Sequence, residues 1–236
     1  MQHAFEDASR QQLTDWQPER YDIIYLYLYS NRLVSIPDTI GNVSRLRVLD
    51  LADNALTKLP TSIGRCTCLE YLYLHQNQLS AIPDGIRTLS NLVYLNVDGN
   101  PVRALPDWLG ELPRLAELRA ESSGIRMLPS SLGKLPALRE LHLRGNRLED
   151  LPARFGDLAQ LRYLDLRDNR LPAIPNSLGE LRRLHHLDLR QNRLTSLPDS
   201  LLDARELEKL DLRWNAIEES DPVVAQLRGR GCLVHI

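Results

Sequence analysis

A repeat of 23 residues constrains this chain more than any other feature in it. Asparagine stands at Asn31, Asn54, Asn77, Asn100, Asn146, Asn169, Asn192 and Asn215, on a grid whose only other point is Ser123. Around each point the chain reads L-x-x-L-x-L-x-x-N-x-L, as in Leu161, Leu164, Leu166, Asn169 and Leu171. Downstream comes [IL]-P-x-x-[IL]-G-x-L, as in Ile174, Pro175, Leu178, Gly179 and Leu181, and eight of the 14 prolines share one phase. Nine turns without insertion or deletion leave only stacked-repeat architectures open.

The spacing dictates what one unit does. The L-x-L stretch alternates apolar and polar, so it forms a short strand with leucines inward and their neighbours outward. Asparagine falls where the chain leaves the strand, and its buried amide must bond backbone groups at that bend. The residue after each repeat proline is Asp38, Thr61, Asp84, Asp107, Ser130, Asn176 or Asp199, with Ala153 the exception, and such side chains are expected to act as N-caps. The I/L-G-x-L spacing then supplies one short helical or 3₁₀ turn on the opposite side. No coil can bury its own leucines, so the fold exists only as a stack.

These motifs resemble the leucine-rich repeat family, in its 23-residue variety with the Leu-Pro signature. Similar repeats occur in plant intracellular Ras-group-related proteins, in Scribble- and Erbin-like scaffolds and in bacterial proteins that include secreted effectors. The resemblance implies an α/β solenoid, a horseshoe of nine coils with a parallel concave sheet and short helical or 3₁₀ convex segments. It covers roughly residues 23–217 and departs in two places. Repeat five reads Leu118-Arg119-Ala120-Glu121-Ser122-Ser123-Gly124 and loses both a strand leucine and the asparagine, while Ser220 and Asp221 replace the last Leu-Pro.

The expected organisation is an N-terminal helical cap over 1–20, repeats over 21–217 and a C-terminal cap over 218–236. Phe5, Ala8, Leu13 and Trp16 recur at helical spacing before Pro18. Asp221-Pro222 is an N-cap and first-turn pair for a short helix over 223–228, followed by an edge strand over 232–236.

Composition excludes several classes. With 29 basic and 31 acidic residues the net charge is −2, so no global basic field invites nucleic acid or an anionic membrane. No apolar run approaches the roughly 20 residues that span a bilayer. The start of the chain lacks an apolar h-region, and three cysteines make no disulfide framework, so a cytoplasmic setting is expected, or a host cytoplasm for a secreted effector. No phosphate-binding glycine motif occurs. Cys66 takes a slot filled elsewhere by leucine, and His185-His186 must point to opposite faces of a strand. Ser122, Ser123, Glu121 and His142 mimic a triad but lack a nucleophile elbow and oxyanion donors. No enzyme, metal or cofactor is expected.

Outward strand positions carry the functional signal. Three columns, placed six, four and two residues before each grid point, hold seven of the eight tyrosines, where chance would place about one. The N-terminal half presents Tyr25, Tyr27, Tyr29, Tyr71, Tyr73 and Tyr94, with His75 and Asp98, as six exposed aromatics on one patch. Arg119, Glu121, His142 and Tyr163 follow at the centre. Arg144, Arg167, Arg190 and Arg213 then form a column beside Asp165, Asp188 and Asp211, with Trp214 at the rim. These residues point to a monomeric module that binds a protein partner on its concave face. The weighed alternatives are the recognition part of an enzyme catalytic elsewhere and a glycan-binding receptor.

Overall fold

A computed structural model describes residues 5–236. Eleven strands form one parallel sheet in strict sequence order. They are β1 (Phe5–Asp7), β2 (Tyr25–Tyr27), β3 (Val48–Asp50), β4 (Tyr71–Tyr73), β5 (Tyr94–Asn96), β6 (Glu117–Arg119), β7 (Glu140–His142), β8 (Tyr163–Asp165), β9 (His186–Asp188), β10 (Lys209–Asp211) and β11 (Leu233–His235). Each has three residues, so the third outward column lies just beyond the strands. From β2 to β10 the register is unstaggered, with Tyr71 opposite Tyr94 and Tyr163 opposite His186. Each outward column therefore runs straight across the sheet.

The opposite side consists of single 3₁₀ turns such as Asp38–Asn42 and Asn176–Glu180. The side chain after the proline does not cap them, which corrects the N-cap expectation. It is the first residue of the turn, the proline ahead of it is the extended capping residue, and no side-chain cap bond forms. One 3₁₀ turn closes on the proline carbonyl itself, as Ile40 N–H does on Pro37 O at 3.1 Å, so few orphan donors remain. Turns on this side are bulkier than strands, which puts the sheet on the concave side. Between the layers the leucines form one continuous core; Leu26, Leu49, Leu72, Leu95 and Leu118 have no exposed surface. Glycines such as Gly179 allow neighbouring coils to approach, since a Cβ there would run into the Ser200 backbone oxygen.

The asparagines connect successive coils. Asn169 Nδ2 donates to Leu143 O and Leu166 O, both at 3.0 Å, and its Oδ1 accepts from Leu148 N–H at 3.0 Å. The same set recurs at Asn54, Asn77, Asn100, Asn146 and Asn192. Asn215 makes it at the last coil, and Asn31 at the first. The residue before each asparagine turns the corner in the left-handed region, with φ of 53° at Ser30, Asp53, Gln76 and Gln191, 56° at Asp168 and 62° at Trp214. At Ser123 the ladder breaks. Its hydroxyl donates only to Glu121 O in its own turn, and no side chain there reaches back to Val97 O and Val102 N–H. Beside the break a rim cleft of about 820 Å³ is lined by Arg103, Arg126, Arg147 and Ser122.

The N-terminal cap is not helical. Among its described residues, β1 pairs with β2, and Ala8 N–H donates to Tyr27 O at 2.9 Å. Arg10 and Gln12 both have φ of 57°, outside any right-handed helix. Gln11 and Leu13 N–H donate to Asn31 Oδ1, and Asn31 Nδ2 returns a bond to Ala8 O. An exposed sheet edge and an unfilled asparagine both demand backbone partners, which an extended segment supplies and a helix cannot. Trp16 is buried, with its Nε1 donating to Glu6 Oε1 at 2.8 Å, while Leu13 and Ala8 pack on the core. At the other end Asp221 caps helix α1 (Pro222–Gly229) by accepting from Val223 and Val224 N–H. Val223, Val224 and Leu227 cover the last leucine layer before β11 pairs with β10.

Candidate functional site: the concave face

Direct register turns sequence columns into rows of touching side chains. In the first five strands one row reads Phe5, Tyr25, Val48, Tyr71 and Tyr94. Phe5 is 56% exposed, Tyr25 37% and Tyr71 38%. The spacing of Phe5 places it in a cap helix, and nothing in the repeat grid marks it as a surface residue.

The six tyrosines expected to be exposed divide into two groups. Only Tyr25 and Tyr71 are open; Tyr27, Tyr29, Tyr73 and Tyr94 are half-buried. The cause is packing across strands. Tyr94 lies 4.8 Å from Tyr73 and 6.4 Å from Tyr71 between ring centres, and Tyr73 packs edge-on to His75. Tyr27 sits 5.4 Å from Phe5, and Arg10 lies over the Tyr29 ring. Burial raises the pKa of Tyr27, Tyr73 and Tyr163, and pushes that of Tyr94 up to about 12 although its Oη accepts from Asn96 Nδ2.

The centre is ionic. Arg119 bonds Asp98, Glu121 and Glu117 at 3.2, 3.1 and 3.5 Å, and Asp98 also accepts from Glu121 N–H. His142 is 8% exposed and stacks on Tyr163 at 4.9 Å; Tyr163 in turn meets His186 edge-on. Asp165, 5% exposed, is held above the ordinary carboxylate range by burial, as is Glu121.

The arginine column behaves differently along its length. Arg190 bonds Asp188 at 2.9 Å and reaches Asp211 at 3.5 Å, while Arg213 bonds Asp211 at 2.7 Å. Burial alone would raise Asp211, but the Arg213 hydrogen bonds and the Arg190 charge outweigh it and hold the carboxyl low. Tyr163 and these pairs line a shallow pocket of about 220 Å³. Pairing of this kind does not extend upstream. Arg144 is exposed, the buried Arg167 Nε has no hydrogen-bond partner, and Asp165 takes the backbone N–H of Arg167 instead. Trp214 is 64% exposed at the rim, with Arg213 stacked over it at 5.4 Å. Its left-handed φ is the corner that each coil makes before its asparagine. Cys66 is buried and Cys68 exposed, so the two thiols diverge.

A stack of self-similar coils presenting one open aromatic and ionic sheet is a repeat scaffold. Family models described as "Leucine-rich repeat region", "Leucine Rich repeats (2 copies)" and "Leucine Rich Repeat" match residues 35–150, 136–182 and 183–203. The chain belongs to the leucine-rich repeat family, whose fold typically serves protein–protein interaction.

Among solved structures it is similar to a leucine-rich repeat protein of Leptospira interrogans, with 33% identity and a TM-score of 0.85 over 92% of this chain and 55% of that one. A leucine-rich effector protein from Yersinia pestis is 27% identical, with a TM-score of 0.74 over 88% and 54%. The FLRT2 repeats, solved in an octameric complex with latrophilin 3 and Unc5D, are 26% identical, with a TM-score of 0.71 over 83% and 62%. The chain thus spans between half and two-thirds of these structures. No curated protein sequence matches it.

Proposed function

We propose that this chain is a monomeric docking module that seats a protein partner on its concave face, anchored by the row Phe5, Tyr25, Val48, Tyr71 and Tyr94. The observation that carries this reading is the exposure of three aromatic rings in register in the N-terminal half of the sheet. Four strand steps make the row about 19 Å long, and clustered aromatics are the usual anchors of interfaces. A standard interface uses about 800 Å² per partner, so contact must extend over the rest of the sheet and the rim, where Trp214 stands. Similarity to bacterial repeat proteins, one an effector, supports a bacterial origin with an effector-like role in a host cytoplasm as the finer form of this reading.

The test places a photo-crosslinking amino acid at Tyr71 and, separately, at convex Asp107. A partner captured only from Tyr71 supports the reading. Tyr25→Ala and Tyr71→Ala should then each weaken that complex about 30-fold, equivalent to about 2 kcal/mol. Capture from Asp107 alone would refute it.

A further inference from the structure

We propose that Glu121, His142 and Asp165 form a binding site for a divalent transition-metal ion, with Zn²⁺ as its type, on the floor of the concave face. The three residues come from consecutive coils, and their ligand atoms all lie within 4.8 Å of one another. Tetrahedral zinc with bonds of about 2.1 Å needs ligand atoms about 3.4 Å apart. The Glu121 Oε1 to His142 Nδ1 distance is already 3.8 Å, and the glutamate side chain can close the remainder.

His142 supplies the nitrogen donor. Its side chain is nine-tenths buried and its Nδ1 makes no hydrogen bond, although it faces two carboxylates. The other ring nitrogen, Nε2, lies 3.3 Å from Glu140 Oε2. In the tautomer with its proton on Nε2, donating to Glu140, the Nδ1 lone pair is directed at Glu121 and Asp165. Metal-bound histidines are commonly held this way, with a carboxylate fixing the tautomer and orientation from behind.

The acids are likewise prepared to donate. Asp165 Oδ1 is occupied by Arg167 N–H at 2.9 Å, with no hydrogen bond to the second oxygen, and Arg119 Nη2 bonds Glu121 at Oε1, the oxygen nearest Nδ1, leaving Oε2 without a hydrogen bond. Around one imidazole stand Glu117, Glu121, Glu140 and Asp165, with Arg119 and Arg167 as the adjacent cations. A divalent ion balances this excess of acid where it is least solvated. One nitrogen and two oxygens suit zinc, cobalt or manganese better than calcium or magnesium, which favour oxygen alone. A second set, Glu117, Glu140 and His142, lies on the Nε2 side. Its Glu140 side chain is 48% exposed, and its short contact to Nε2 assigns it to orienting the ring. Zinc binding needs no partner, so it is tested separately from the docking role.

Full-length protein stripped with chelator is titrated with Zn²⁺ by calorimetry and with Co²⁺ by visible absorption, and circular dichroism checks the fold of each variant. Expected are one equivalent of Zn²⁺, Co²⁺ bands of reduced coordination number, and at least 100-fold weaker Ca²⁺ and Mg²⁺ binding. Glu121→Gln and Asp165→Asn should each lower zinc affinity at least 30-fold, and His142→Gln should abolish the cobalt bands. Glu140→Gln should cost about 10-fold or more as a positioning residue, while His185→Gln should change nothing. No stoichiometric binding by wild type, or affinity that survives Glu121→Gln but falls with Glu117→Gln, would overturn the assignment.

Discussion

Replacing Asn169 by alanine tests whether the amide ladder or the leucine core alone holds the coils in register. The side chain makes three good bonds, to Leu143 O, Leu166 O and Leu148 N–H. The two carbonyls are not abandoned, because Leu143 O keeps Asn146 Nδ2 and Leu166 O keeps Asn192 Nδ2, each at 2.9 Å. Leu148 N–H keeps nothing. Two shared bonds at roughly 0.5–1 kcal/mol each and one orphaned buried donor at roughly 1–3 kcal/mol give a loss of about 3 kcal/mol. With a urea m-value of about 3 kcal/mol/M, the midpoint should fall by about 1 M at unchanged slope. Arg167→Ala, two residues away with an unpartnered Nε, should cost less than about 1 kcal/mol. Urea unfolding followed by circular dichroism measures both. Equal midpoints for the two variants would refute the ladder as a main source of stability.

Ser123→Asn should repair the gap by adding bonds to Val97 O and Val102 N–H, raising stability by about 1–2 kcal/mol; an unchanged or lower melting temperature would mean that coil five has relaxed around the serine. Gly179→Ala should cost about 3 kcal/mol, because the new Cβ meets the Ser200 backbone oxygen, whereas Gly229→Ala, with open space around it, should be neutral or mildly stabilising in the same melts. For Tyr94 the sign follows from burial: folding favours the neutral phenol, so its contribution is complete below pH 10 and is lost as the pH rises toward 12. Absorbance at 295 nm should show a late-titrating tyrosine that Tyr94→Phe removes, and a titration identical in both proteins would contradict this.

Particular residues show how far the sequence carries. The grid of asparagines gives the coil, its inward leucines and its outward columns, because each depends only on spacing within 23 residues and on a neighbour of the same kind. The departure at Ser123 is equally legible, and so is the Asp221-Pro222 helix start. The N-terminal strand is not. Helical spacing of Phe5, Ala8, Leu13 and Trp16 is a local signal, and the edge of β2 and the open amide of Asn31 override it with a demand that exists only once the stack is built. Six of the eight left-handed corners before an asparagine also escape, since Ser, Asp, Gln and Trp there show no glycine signature, which only Gly99 and Gly145 carry.

Sequence alone therefore determined the solenoid, its nine repeats and the identity of every residue that those repeats place on the concave sheet, because a period without gaps admits one stacking. Tertiary structure decided what that surface is. Tyr71 touches Tyr94 only at 6.4 Å and stays open, whereas Tyr73 and Tyr94 pack at 4.8 Å and bury each other across adjacent strands. Likewise His142 gathers carboxylates from coils before and after its own, and the 23-residue separations that hide this in the chain become single strand spacings in the sheet. Exposure and electrostatics are properties of neighbours, and in a stack of coils the neighbours belong to other repeats.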